Sequence, residues 1–201
     1  MGERDGWLHP SLATFLVSLT GQNSRGLTMH LSSEHRPVDY ARNCVVKEFL
    51  ASTCEWLLML DNDMVPPVNL LDMVDRAGDR MDIVVPRFYR AEAGPCDGVR
   101  LKLCWESFSG ELAQNEWREL VCAGTGVMFV RRRVFERMGK QGWFRFIYDA
   151  DGKITISEDV AFCQKARQAG FSVWGNQRFE ADHCKTIPLS KLVRGVARIG
   201  A

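Results

Sequence analysis

Asp61-Asn62-Asp63 carries the clearest chemical meaning in this sequence. Two carboxylates one residue apart, on a turn leaving an apolar run, can both reach one hard cation. Mg²⁺ or Mn²⁺ held in this way keeps further positions for water and for substrate phosphates. The competing reading is an Asx turn, in which the aspartates only hydrogen-bond the backbone as the chain leaves a strand. From these three residues alone, neither reading wins.

Two later features have the same double character. Glu158-Asp159 precedes an apolar pattern through Val160, Phe162, Cys163, Ala166 and Ala169 that stops at Gly170. Acidic residues in a first helical turn complement the helix dipole as a matter of course. A carboxylate in such a place can also take a proton from a hydroxyl nucleophile. His183, in Phe179-Glu180-Ala181-Asp182-His183, is either a metal ligand or an ordinary histidine.

The elements that must position these groups can be read from periodicity. Trp56 to Leu60 is continuously apolar and stops at Asp61, with Pro66-Pro67 just beyond, which predicts a strand buried on both faces. Helical spacing predicts helices over Ser11–Leu19, Val38–Ala51, Val68–Ala77 and Arg132–Met138, and the Glu158 pattern adds another. Strands are predicted at Leu27–Leu31, Asp82–Val85, Val127–Val130 and Phe171–Trp174. Arg90 to Gly98 reads as a loop, and Leu101 to Leu120 as hairpin strands carrying Trp105 and Trp117. Strands alternating with helices imply an α/β fold with a largely parallel sheet. In such a sheet ligands bind at the carboxyl ends of strands, where Asp61-Asn62-Asp63 falls. Gly124-Thr125-Gly126, before a strand, predicts a close backbone approach.

Composition narrows the function classes. The 201 residues are 46% hydrophobic and carry a formal charge of +1, so the broad positive field of non-specific nucleic-acid binders is missing. No apolar run is long enough to predict a membrane span and no secretory pattern opens the sequence, so the expected location is cytoplasmic. The seven cysteines form no CxxC pair and read as reduced core residues.

Taken in order, Ala41-Arg42-Asn43, the strand ending in Asp61-Asn62-Asp63-Met64-Val65-Pro66-Pro67, Gly124-Thr125-Gly126-Val127-Met128-Phe129-Val130, Ser157-Glu158-Asp159 and the late His183 have a layout that resembles the GT-A fold glycosyltransferases. The resemblance is to the family-2-like group with its small bacterial and phage members, and it runs from Arg42 to His183. It implies a GT-A-type, open, mostly parallel sheet with helices on both faces, in a single catalytic domain over residues 1–201; the basic, glycine-containing tail, 188–201, reads as loosely ordered or a late helix. Only Met1-Gly2-Glu3 precedes Arg4-Asp5-Gly6, which resembles the loop after the family's first strand, so that strand is expected to be missing or truncated.

The resemblance also implies roles. Asp63 binds the divalent metal, Mn²⁺ or Mg²⁺; Asp61 contacts the nucleotide or its metal; and His183 completes the metal shell. Arg42 and Asn62 lie near the nucleotide. Asp159 is the general base toward an acceptor hydroxyl, and Glu158 supports it or places the acceptor. Trp105 or Trp143 would stack on a sugar face, although aromatic residues more often fill cores. Arg87 to Arg90 line the donor pocket or form a solvated loop.

The implied activity is transfer of a sugar from a UDP- or GDP-sugar donor to an acceptor of open class: glycan, lipid, protein or modified nucleic acid. Two other classes stay open, namely a non-catalytic nucleotide-binding relative and another metal-dependent phosphate-handling enzyme. A gap at the first strand leaves an edge at which a homo-oligomer could form, and the sequence leaves the oligomeric state open.

Overall fold

The computed structural model describes residues 9–20, 26–29, 37–93, 99–108 and 116–184. The Arg4-Asp5-Gly6 segment, the end of the predicted strand at His30-Leu31, Cys96 and the predicted tail lie outside them. In chain order the elements are α1 (Pro10–Thr20), α2 (Val38–Ala51), β1 (Trp56–Leu60), β2 (Met64–Val65), α3 (Asp72–Asp75), β3 (Ile83–Arg87), β4 (Tyr89–Ala93) and β5 (Val99–Leu103). There follow β6 (Trp105–Ser107), β7 (Trp117–Ala123), β8 (Val127–Arg131), α4 (Arg132–Met138), β9 (Ile147–Tyr148), β10 (Ile154–Ile156), α5 (Glu158–Gln168), β11 (Val173–Glu180) and β12 (Asp182–His183).

Six strands form the main sheet in the order β1-β8-β3-β11-β7-β6. The α/β class holds, and β1, β3, β6 and β11 share a direction. The reversed strands β8 and β7 are interleaved with them, however, so β3 and β11 are the only parallel neighbours in this sheet. β7 and β8 point the same way but are not neighbours, and the three residues between them hold no crossover helix, so each pairs antiparallel with strands from elsewhere in the chain.

Strand alternation sends side chains to two cores, because successive residues point to opposite faces. Leu57 and Met59 of β1 with Met128 and Val130 of β8 join α2, α4 and α5 through Val46, Phe49, Val134, Phe135 and Phe162. Leu58 and Leu60 with Val127 and Phe129 join α1 and α3 through Leu12, Phe15 and Met73. Helices therefore cover both faces, which explains the unbroken apolar run in β1. Among the described residues β1 has β8 on one side only, and most of its side chains are half-buried rather than fully buried as its composition predicts.

Several expectations are corrected. Leu27, Thr28 and Met29 are exposed and form no strand, since they meet no partner strand to bury their apolar side. The helix predicted over Val68–Ala77 is only the single turn α3, flanked by three-residue bonds such as Leu70 N–H to Pro67 O before it and Ala77 N–H to Val74 O after it. Tight i→i+3 winding of this kind does not extend far. The loop predicted from Arg90 is instead the strand β4, paired with β5 in a separate hairpin. The short hairpin of β9 and β10 had no alternating apolar pattern to announce it.

One packing contact sets the middle of the sheet. The Trp105 ring lies across Gly175 of β11, where a Cβ would come within 2.8 Å of it, while its indole N–H donates to Pro86 O at 2.9 Å. In β7, Leu120 faces Ser107 and Cys122 faces Glu106, so Val121 is an extra residue. A bulge of this kind bends its strand and carries Ala123 toward the Gly124 turn.

Candidate active site

The Asp61-Asn62-Asp63 turn is fixed by backbone bonds from three directions. Asp61 N–H donates to Gly126 O at 2.9 Å, Met64 N–H closes the turn on Asp61 O at 3.1 Å, and His9 N–H reaches Asn62 O at 3.3 Å. The turn then enters β2, which pairs antiparallel with β12, His183 facing Met64. Cys184 N–H donates to Asp63 O at 2.8 Å and locks that register. The result is that His183 Nε2 stands 3.2 Å from Asp63 Oδ2, across 120 positions of sequence.

The flanking glycines serve the turn by proximity. A Cβ on Gly126 would meet Met64 Sδ at 3.2 Å, and one on Gly124 would meet Phe88 Cζ at 3.2 Å. The close approach that these residues predict is therefore made by core side chains. Between them, the Thr125 hydroxyl is buried with no hydrogen-bond partner among the described residues.

Arg42 joins the two acidic motifs. It is 9% exposed on α2, and its guanidinium NH2 donates to both carboxylate oxygens of Asp61 at 3.1 Å. Its NH1 donates to Glu158 Oε1, in a buried ion pair with the first residue of α5. The Asp61 carboxylate is thus taken by Arg42 rather than by an Asx turn. Burial pushes the Asp61 carboxyl above its ordinary range, Arg42 pulls it back, and Asp63 raises it again. Burial likewise raises Glu158 against the pull of Arg42, with the Asp159 charge adding to the rise.

Asp159 is half-buried beside this pair. Its Oδ1 accepts the Ser157 hydroxyl and, at 2.7 Å, the Val160 N–H, whereas Oδ2 has no hydrogen bond within the described residues. These two bonds anchor Oδ1. Ser157 is the N-cap residue of α5, but its hydroxyl goes to Asp159 and not to the helix backbone.

Other sequence-derived candidates fall elsewhere. Trp143 is 2% exposed and donates to Phe135 O, so it is a core residue with no face for a sugar. Trp105 is committed to Gly175 and Pro86 as described. Phe88 is buried, Arg87 pairs with Glu180, and Asn62 is exposed at the tip of the turn. Nothing in the residue pattern singles out His9 as a neighbour of that tip, because its place depends on how α1 packs.

Among the described residues, no three His, Cys, Asp or Glu side chains converge as a ready cation cage. Asp63 and His183 nevertheless suit one cation: adjacent ligands at about 2.1 Å on an octahedral ion stand about 3 Å apart, close to the 3.2 Å observed. Mg²⁺-type sites built from one or two protein groups plus substrate phosphates are the ordinary case.

No family model matches the chain, and no curated protein matches its sequence. Solved structures do match its fold. A197 from STIV superposes with a TM-score of 0.61 at 19% identity, covering 91% of this chain and 83% of that one. GalNAc-T7, solved with UDP, GalNAc and Mn²⁺, superposes with a TM-score of 0.51 at 16% identity, covering 86% of this chain. The chain has the GT-A-type fold. It spans 34% of the GalNAc-T7 chain, so the likeness concerns one part of a longer protein. No helix among the described residues is long and apolar enough to cross a membrane.

Proposed function

We propose that this protein is a divalent-metal-dependent glycosyltransferase that moves a sugar from a nucleoside diphosphate donor to an acceptor hydroxyl. The observation that carries the reading is Arg42, which ties the Asp61-Asn62-Asp63 turn to the start of α5 and so links the segment carrying Asp63 to the segment carrying Asp159. The likeness to a fold solved with UDP and Mn²⁺ supports the same reading.

The division of labour follows from the surroundings of each group. Asp63 and His183 would hold Mn²⁺ or Mg²⁺, which neutralises charge on a diphosphate leaving group without moving a proton. Asp61, paired with Arg42, fixes the turn that presents Asp63. Glu158 is committed to Arg42 and so supports the start of α5. Asp159 Oδ2 is left to accept the proton of the acceptor hydroxyl as it attacks the anomeric carbon.

The test is calorimetric titration of the protein with UDP and with GDP, each in Mn²⁺ and in EDTA, repeated on Asp63→Ala. The expected result is Mn²⁺-dependent binding of one nucleotide that disappears in the variant. Failure of both nucleotides to bind with Mn²⁺ would overturn the reading.

A further inference from the structure

The β4–β5 hairpin stands outside the main sheet but is rooted beside the site. Cys104 N–H donates to Phe88 O at 3.0 Å to close the root, and Gly124 N–H donates to Cys104 O at 2.9 Å to fasten it to the glycine turn. That turn is also where α5 begins. Arg167 reaches Leu120 O and Cys163 Sγ reaches Ala123 O, so α5 runs against β7, and Asp159, one turn before Cys163, lies beyond Ala123 on the Gly124 side. The hairpin root and Asp159 therefore flank the same short segment.

The hairpin is two-faced. Its register sets Arg90 opposite Lys102 and Glu92 opposite Arg100, and alternation puts all four on one side. Glu92 is the shared partner: Arg90 at 2.9 Å, Arg100 at 3.3 Å and Lys102 at 3.8 Å. Three cations around one carboxylate leave an excess of two positive charges (3 − 1 = 2). The three basic side chains are 51 to 67% exposed, so their pairing with Glu92 is solvent-screened and leaves them open to other anions. The Cys104 thiol, pushed up to about 11 mainly by burial, is also raised by the Asp159 charge and lowered by Arg90 and Lys102, so the two groups act on one spot.

Resting on the transferase reading, we propose that the charged face of this hairpin binds a phosphate group of the acceptor, so that the hydroxyl deprotonated by Asp159 belongs to a phosphate-bearing molecule. In the transferase reading the donor's diphosphate would take its counter-charge from a cation held by Asp63 and His183. The excess charge on the hairpin has no such assignment and lies on the acceptor side of the glycine turn. Three flexible cations suit a phosphate dianion, which offers several oxygens at once.

The experiment follows backbone amide shifts of the full chain on titration with glycerol 3-phosphate, with glycerol as the uncharged control and UDP with Mn²⁺ as a separate titration. Glycerol 3-phosphate is expected to shift β4 and β5 saturably, while glycerol leaves them unmoved. Arg100→Glu with Lys102→Glu should weaken that binding at least tenfold without changing UDP binding. Glu92→Gln should tighten it several-fold, a gain that a misfolded variant cannot mimic. Shifts absent from the hairpin, or unaltered affinity in the charge-reversed variant, would overturn the proposal. Hairpin binding with no UDP binding would uphold the phosphate site and tell against the transferase reading alone, so the two failures are told apart.

Discussion

Arg42 and Glu158 form a buried ion pair across 116 positions, and the second nitrogen of the same guanidinium chelates Asp61. The pair joins α2 to the start of α5 at the point where both acidic motifs meet. Because Glu158 is 8% exposed, its charge has no recourse to solvent if Arg42 is removed.

Arg42→Met is therefore expected to destabilise the fold by about 3 kcal/mol, the scale for losing one member of a buried pair. Adding Glu158→Gln should recover most of this loss, since the charge then left unpaired, on Asp61, is 41% exposed to solvent. Urea unfolding of wild type, both single variants and the double variant closes the cycle. Additive losses would show that the two side chains are not coupled.

The raised pKa of Glu158 has its own consequence for pH dependence. The folded state binds this proton more tightly than the unfolded chain does, because burial outweighs the pull of Arg42. Stability from this group is therefore full below its ordinary value of 4.5 and is lost as pH rises through the raised folded value. Glu158→Gln should flatten the wild-type decline in that window, as read by urea midpoints at successive pH values. A variant curve parallel to wild type would mean that Glu158 titrates normally.

The middle of the sheet offers a test of packing alone. A methyl at Gly175 would press on the Trp105 ring at 2.8 Å, and that ring is held by its bond to Pro86 O. Gly175→Ala is expected to cost about 1–3 kcal/mol, the range for overpacking a filled core. A shifted tryptophan emission should accompany the loss. An unchanged spectrum and urea midpoint would show that the ring moves freely.

Sequence periodicity located what local chemistry determines. The helices Val38–Ala51 and Arg132–Met138 fall where their apolar spacing puts them, and the run Trp56–Leu60 ends at the aspartate turn because two cores claim its alternate residues. What local pattern cannot show is pairing between distant segments. The charged residues of β4 read as a loop because only their alignment with β5 makes them a face. Trp143 reads as available to a sugar because its partner Phe135 belongs to another element, α4. The site itself was half legible. The aspartates, Glu158-Asp159 and His183 were visible as residue types, whereas the capture of Asp61 and Glu158 by one arginine depends on α2 and α5 meeting in space.

The sharpest separation of roles concerns Asp159. Its anchored Oδ1 fixes the carboxylate, and its other oxygen takes no hydrogen bond within the described residues. Asp159→Asn preserves the shape and keeps one oxygen for the Val160 N–H, so the fold and Mn²⁺-dependent nucleotide binding should be retained. The amide cannot accept the acceptor's proton, and transfer should fall by about 10²–10⁴-fold, the usual contribution of a positioned general base. Binding measured by calorimetry and turnover measured by release of nucleoside diphosphate distinguish these effects. If turnover persists at the wild-type rate while binding is intact, the base must be sought in another residue.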